Sequence, residues 1–520
     1  MSVSIRRTDS DRRIGLDERR RGMVAAYVLL GVFAVSGCSL APHHQTPSLP
    51  VSSAYPADTG TLAGASYGGP TAAEMSWHEY FVDPYLQTLI ALALENSRDL
   101  RGAVLRVEEA RATYGIQRAN QFPTIAAGVD GSRARTPADL SITGRSGISS
   151  QYQVSLGLAA WELDFWGRVR NLKDAALENY LATDEARRAA TIGLIAEVAD
   201  AYLTLRELDE RSMLARRTIV SREESFRIFT RRYEVGAIAR MDLVQVETLL
   251  HQAQALAAQL EQARAAQAHA LTLLVGSPLS LLPGDVPVDD RLVLPDLRVG
   301  LPADLLLQRP DIVAAEHQLR AAHANIGAAR AAFFPRITLT GSFGTASAEI
   351  SGLFDSGSRA WSFLPSLSLP IFDAGRNRAS LDLAEVRREL AVVNYEKTVQ
   401  TAFREVSDAL SARRWLAEQV GIQQATLAAQ ADREHLARLR YDNGSAPYFE
   451  VLDAQRDLLA AEQQLVQTRR ALLSSRISLY AALGGGSMNF VSITARDTTN
   501  RLLKYRPANA DGGMERSRFS

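Results

Sequence analysis

The sequence predicts a mixed, mainly α fold, internally duplicated, whose long coiled-coil-like helices are joined to four strands that contribute to a shared membrane β-barrel. Three observations predict it. Two stretches, Arg168–Glu234 and Arg376–Asn443, contain no proline and one glycine each, Gly193 and Gly421. A helix of about 60 residues rises about 90 Å at 1.5 Å per residue, more than one globular core can cover. Four shorter stretches alternate apolar residues with small polar ones, the pattern of a wall between lipid and water. Finally, the chain repeats its landmarks at a fixed spacing.

Composition narrows the function classes. The chain has 520 residues and balanced formal charge, 58 basic against 58 acidic, so no global field favours nucleic acid. Its one cysteine, Cys38, excludes an internal disulfide and a cysteine-built metal site. No HExxH, GxSxG, GxGxxG or P-loop run occurs, so no catalytic or metal site and no cofactor is expected, and the chain does not read as an enzyme. No run of eighteen apolar residues marks a transmembrane helix, so a membrane crossing must use strands.

From the N-terminus, Arg19–Arg20–Arg21 precede the apolar run Val24–Ser36, which is too short to span a bilayer and reads as a secretory signal. Its end, Val35–Ser36–Gly37–Cys38, resembles a bacterial lipobox. On that resemblance residues 1–37 are removed and Cys38 becomes the lipidated first residue. The alternative is an ordinary signal whose cysteine is incidental. Residues 38–76, rich in Pro, Ser, Gly and Thr, read as an extended segment.

Two copies of one plan follow, repeat 1 over 77–276 and repeat 2 over 303–484, with a linker at 277–302 and a polar tail at 485–520. Gly375 and Gly167, Gly444 and Gly236, and Gly484 and Gly276 are each 208 positions apart, whereas Pro335 and Pro123 are 212 apart. The first copy therefore carries four extra residues between Pro123 and Gly167. In each copy a helix stops near a Phe-Pro pair, because proline disfavours helix in the residue before it. Strands follow at about 124–135 and 150–163, then 336–347 and 361–372. Ile125, Ala127 and Val129 share a face, as do Tyr152, Val154, Leu156, Leu158 and Ala160. Ile337, Leu339 and Phe343 do the same, and so do Trp361, Phe363, Pro365, Leu367, Leu369 and Ile371. The opposite faces are mostly Ser, Thr, Gly and Ala. Long helices are expected at about 168–234 and 376–443, with return helices at 242–275 and 450–483.

Four strands cannot close alone, and open edges are not tolerated in hydrocarbon. Several chains must combine. Two give eight strands, whose interior tends to fill; three give twelve, wide enough for a lumen. Strand number alone does not choose between them.

The chain resembles the bacterial outer-membrane efflux protein family, the TolC-like factors, and especially the lipoprotein (NodT-type) branch serving resistance-nodulation-division (RND) pumps. The residues that carry the resemblance are Trp77, Phe81–Leu86, Gln308–Ile312, the Phe-Pro stops, Phe372–Gly375, Arg440–Gly444 and Val451–Gln455. It implies a homotrimer with a twelve-stranded outer-membrane barrel and a periplasmic α-barrel. It also implies docking on a periplasmic membrane-fusion adaptor and an inner-membrane RND transporter, with drugs or other small toxic compounds passing through the interior.

The helix-helix turns should form the tip farthest from the strands. Glu450 and Asp453 are spaced i, i+3 on one helical face, and three chains would place six carboxylates in a ring with cation preference. Alternatively the two residues cap the helix after Pro447. By matching position the resemblance assigns the periplasmic gate to Tyr441, Glu450 and Asp453, with Asp242 as facing partner. The turn residues Gly236, Ala237, Gly444 and Ser445 become adaptor contacts. Some family members carry a latching arginine two residues after the turn glycine; here that position is Ala446, with Arg440 or Arg240 as replacements. Arg309-Pro310-Asp311 reads as a helix start, His317 and His323 as surface or packing residues rather than ligands, and Trp161 rather than Trp77 as an interfacial anchor. Competing readings are a type I protein-secretion duct, disfavoured by the lipobox, and a coiled-coil envelope lipoprotein without a pore, disfavoured by the strands.

Overall fold

The computed structural model describes residues 39–56, 71–142, 144–280, 292–293, 297 and 304–488. The signal segment 1–37 and Cys38, most of the linker and most of the tail lie outside them. In chain order the helices are α1 (Trp77–Tyr80), α2 (Pro84–Asn96), α3 (Arg98–Ala119), α4 (Arg168–Glu234), α5 (Arg240–Val275), α6 (Leu305–Gln308), α7 (Pro310–Ala331), α8 (Arg376–Asp442) and α9 (Tyr448–Ala482). The strands are β1 (Ile125–Thr136), β2 (Gly147–Glu162), β3 (Arg336–Ser347) and β4 (Arg359–Ser368). The duplication is literal at α4 and α8, each 67 residues long, and at α3 and α7, each 22. No described helix is long and apolar enough to cross a membrane.

The chain divides into two compact units. The first contains Glu109–Leu181 and His317–Val393, with residues 39–46. Its sheet is antiparallel in the order β1-β2-β3-β4, so the central pairing joins the two repeats. Register stacks the apolar residues on one face: Val129 opposite Val154, Leu156 opposite Phe343, and Phe343 opposite Trp361. That face is bare, with Val129 80% and Trp361 75% exposed. The other face is small and polar, as where Ser342 and Ser362 hydroxyls meet at 2.7 Å. Among the described residues the outer edges of β1 and β4 have no partner strand.

One facial assignment is corrected. β2 has one residue more than β3 between Leu158, opposite Gly341, and Trp161, opposite Leu339. The bulge centres on Ala160, whose φ of +41° breaks the alternation. Trp161, not Ala160, therefore continues the apolar face. β4 also ends at Ser368, short of Leu369–Phe372, where Pro370 has no N–H to give to a ladder. The short 3₁₀ turns Ala138–Leu140 and Ile350–Gly352 still keep the 212 spacing, so the four extra residues fall after Leu140, where β2 is 16 residues against 10 for β4.

Beside the sheet, the Trp166 indole donates to the Pro335 carbonyl at 2.9 Å and stacks on Phe334, while Glu162 binds Arg168 and Arg336, each at 2.7 Å. Residues 39–46 lie along α7. The Ser39 hydroxyl donates to Asn171 at 2.9 Å, and Ala41 approaches Gly327 so closely that a Cβ there would sit 2.8 Å from the Ala41 nitrogen.

The second unit contains residues 47–108, 182–316 and the described part of 394–520. Its core joins Leu86, Leu89 and Ile90 of α2 to Ile195, Val198 and Leu203 of α4, Leu271 of α5, and Val399, Val406 and Leu410 of α8. Asp83 caps α2 by accepting from the Tyr85 and Leu86 amides and also accepts the Tyr202 hydroxyl at 2.8 Å. Tyr80 stacks on Tyr480, and the Tyr480 hydroxyl donates to the Met75 carbonyl. Trp77 is buried here as packing. Gly276 and Gly484, at the ends of α5 and α9, have φ of +74° and +77°. A Cβ on either would lie 2.5 Å from a carbonyl oxygen, that of Asn96 or Gln308, the last residues of α2 and α6. Arg309 is structural: it is buried, forks onto Asp311 at 2.6 Å, and reaches Glu405 at 2.7 Å and the Ala482 carbonyl at 3.0 Å.

Candidate functional site

The candidate site is built on the two turns that end α4 and α8, within the second unit. Both turns close identically. Gly236 donates to the Tyr233 carbonyl and Ala237 to that of Arg232; Gly444 donates to Tyr441 and Ser445 to Arg440, all at 2.9 Å. The left-handed φ, +77° at Gly236 and +72° at Gly444, is what glycine supplies at a helix C-terminus. Gly236, Ala237, Gly444 and Ser445 are all exposed, and nothing lies within 4 Å of where a Cβ on either glycine would sit.

The return helices then diverge for a chemical reason. Asp242 accepts from the Ala239 amide at 3.2 Å, an ordinary first-turn cap. The position equivalent to Ala239 is Pro447, which has no N–H. Glu450, equivalent to Asp242, instead takes Arg440 at 2.6 Å. Glu450 therefore makes no side-chain cap hydrogen bond, although it still lies in the first turn of α9, where its charge suits the helix dipole. Both helices also begin two residues earlier than expected, at Arg240 and Tyr448, because Ala239 and Pro447 are the caps.

Asp453 lies in a four-member ion cluster. Arg433 of α8 binds Asp453 at 2.7 Å and Asp457 at 2.6 Å, and Arg456 binds the same two carboxylates at 2.5 and 2.9 Å. Hydrogen bonds from Arg433 and Arg456 hold Asp457 below its usual range. The Glu450 and Asp453 carboxylates are therefore matched by guanidinium groups of their own chain. Arg440, Arg433, Asp432, Glu450 and Asp453 line a cleft of about 510 Å³ between α8 and α9. Arg240 makes no ion pair among the described residues, so of the two arginines named in place of a latch only Arg440 is engaged.

Tyr441 is brought to the first copy: its hydroxyl accepts from Arg232, and its ring meets Tyr448 at 4.8 Å. Tyr448 shares a hydrogen bond of 2.8 Å with Ser225 and packs on Phe229, beside Val246 and Leu452. Tyr441, Glu450 and Asp453 thus gather about the second turn. Asp242 closes the first, and no bond joins it to Glu450 or Asp453 among the described residues. Arg433, Arg456 and Asp457 are site residues that the sequence reading missed. Their signal was the seven-residue spacing of Arg433 and Arg440 and the i, i+3, i+4 run Asp453, Arg456, Asp457.

Set beside known proteins, the chain matches the family model described as "Outer membrane efflux protein" over residues 89–277 and again over 301–485, once per repeat. It is 45% identical over 472 residues to outer membrane protein OprJ of Pseudomonas aeruginosa, covering 90% of this chain and 97% of that one. It is 46% identical over 465 residues to the toluene efflux pump outer membrane protein TtgF of Pseudomonas putida, covering 88% and 96%. Among solved structures it is similar to the open state of the MtrE outer membrane channel of Neisseria gonorrhoeae, with a TM-score of 0.77 and 39% identity over 86% of this chain and 99% of that one.

Proposed function

This chain belongs to the outer membrane efflux protein family, and from that premise we propose that three copies of it form the outer-membrane duct of a tripartite efflux pump. It resides in the outer membrane and extends into the periplasm. The observation that carries the proposal is the sheet of the first unit, apolar on one face, small and polar on the other, and unpaired at both edges. In a bilayer the apolar face meets lipid, the polar face lines water, and β4 of one chain pairs with β1 of the next. Four strands from each of three chains make twelve, which leaves a lumen where eight would fill.

The exposed turns at Gly236–Ala237 and Gly444–Ser445 meet a periplasmic adaptor, and an inner-membrane RND transporter supplies the driving force. Efflux relatives are named for toluene, solvents and antibiotics, and small toxic organic compounds of that kind are the proposed cargo. The mature chain begins at a lipid-modified Cys38, which adds an anchor beside the barrel.

Native mass spectrometry of protein extracted from outer membranes, followed by planar-bilayer recording, tests the duct. Three chains and a discrete conductance are expected. A monomer without conductance would end the proposal. Peptide mass spectrometry showing an unmodified Cys38 would remove the anchor alone, and a crosslinker at Ala237 or Ser445 that captures no adaptor would remove the docking assignment alone.

A further inference from the structure

The segment just after Cys38 is pinned to α7 by an unusual contact. His44 Nδ1 lies 3.2 Å from His323 Nδ1, and the two rings meet edge to face at 5.3 Å. A hydrogen bond between two ring nitrogens needs one N–H and one lone pair, so at most one of these rings carries a second proton while the contact lasts. Other pins are polar but not titratable near neutrality: Ser39 donates to Asn171 of α4, and Arg330 donates to the Leu40 carbonyl at 3.4 Å.

We propose that His44 and His323 form a pH-released clasp that holds residues 39–46 on the sheet-bearing unit at neutral pH and frees them in acid. The surrounding charges favour release. His323 is buried on α7, and α8 faces it with Arg388. Burial first, then the His44 and Arg388 charges, hold the His323 ring below the usual imidazole range. Three acids of α4 and α8 have other partners: Glu389 binds Arg388, Glu385 lies 3.7 Å from Arg330, and Glu178 of α4 binds His317 at 2.6 Å.

The sign follows from linkage. The docked state favours the deprotonated ring, so its stability is fully present above the ordinary histidine value of about 6.5 and is lost as pH falls through the depressed one. Each pKa unit of depression corresponds to about a tenfold loss of docking on acidification. The eight residues 39–46, once free, reach up to about 26 Å, which slackens whatever precedes Ser39.

Hydroxyl-radical footprinting of the mature, full-length protein in detergent tests the clasp at pH 7.5 and 5.0, read by mass spectrometry as oxidation of the His323 ring relative to the exposed His435 at each pH. His323, buried under the docked segment, should become more readily oxidised in acid in the wild type. Gly327→Ala, whose methyl would collide with Ala41, should raise His323 oxidation at both pH values while leaving α7 helical. His44→Ala should show the raised level with no step between the two pH values. Unchanged wild-type oxidation of His323 at pH 5.0, or a step that survives in His44→Ala, would overturn the proposal.

Discussion

The paired glycines at the ends of the return helices offer a sharp energetic test. Gly276→Ala places a methyl carbon in a left-handed backbone, which costs about 1–2 kcal/mol for any L residue. It also places that carbon 2.5 Å from the Asn96 carbonyl oxygen, where ordinary contact begins at 3.4 Å. The end of α2 must retreat by about 0.9 Å, and overpacking of that size costs about 1–3 kcal/mol more. Gly484→Ala repeats both terms against Gln308. Gly236→Ala and Gly444→Ala carry the backbone term alone, since the space around them is open. A cooperative block of 150–250 residues shifts about 2–4 °C per kcal/mol, so Gly276→Ala and Gly484→Ala, at about 2–5 kcal/mol, should lower the melting temperature by roughly 4–20 °C and the turn variants, at about 1–2 kcal/mol, by roughly 2–8 °C. Circular dichroism melts in detergent read the difference. Equal shifts in all four variants would refute the close-approach argument.

Four further outcomes are expected. Ala160→Gly should be neutral or mildly stabilising and Ala160→Val should impair outer-membrane insertion, because a β-branched residue resists the positive φ of the bulge; heat-modifiable mobility on gels checks both. Arg433→Ala combined with Arg440→Ala should unmask the tip carboxylates and raise cation preference in bilayers at low salt, with little change at 1 M. Asp457 titrates below its usual range, so in wild type the cluster should hold from neutral pH down through that range and be lost only as pH falls through the depressed value; tip conductance recorded against pH follows it. Burial pushes the Glu462 carboxyl above its usual value, so Glu462→Gln should raise the melting temperature at pH 7.5, a gain that fades as acid neutralises the native side chain.

What the sequence made legible are the features restricted to few residue types. Gly167, Gly236 and Gly276 recur at 208 as Gly375, Gly444 and Gly484, and all six have positive φ, so one backbone demand left one spelling. The alternation in Val129, Leu156, Phe343 and Trp361 was readable because a strand face must match its solvent throughout. Ala160 was not readable, since alanine carries no left-handed signature and only pairing with Leu339 reveals the bulge. At the tip, the shared face of Glu450 and Asp453 was plain from their spacing. Arg456, three residues after Asp453 on α9, could be read from the same wheel, but the other two arginine partners are on α8, 10 and 20 residues back for Arg440 and Arg433, and a helical wheel of α9 does not contain them. The divergence of Glu450 from Asp242 did have a written cue: Pro447 lacks the amide that Ala239 offers.

A sheet that ends in two bare margins is an unfinished object. If neighbouring chains supply strands beside Ile125 and Arg359, as proposed above, those margins must stay hydrated until they do, and there they can also template wrong partners. Maturation would then be tied to encounter: diluting the freshly exported polypeptide twofold should slow its burial in lipid by more than twofold. On that reading a surplus of solitary copies is a hazard to the cell rather than a reserve.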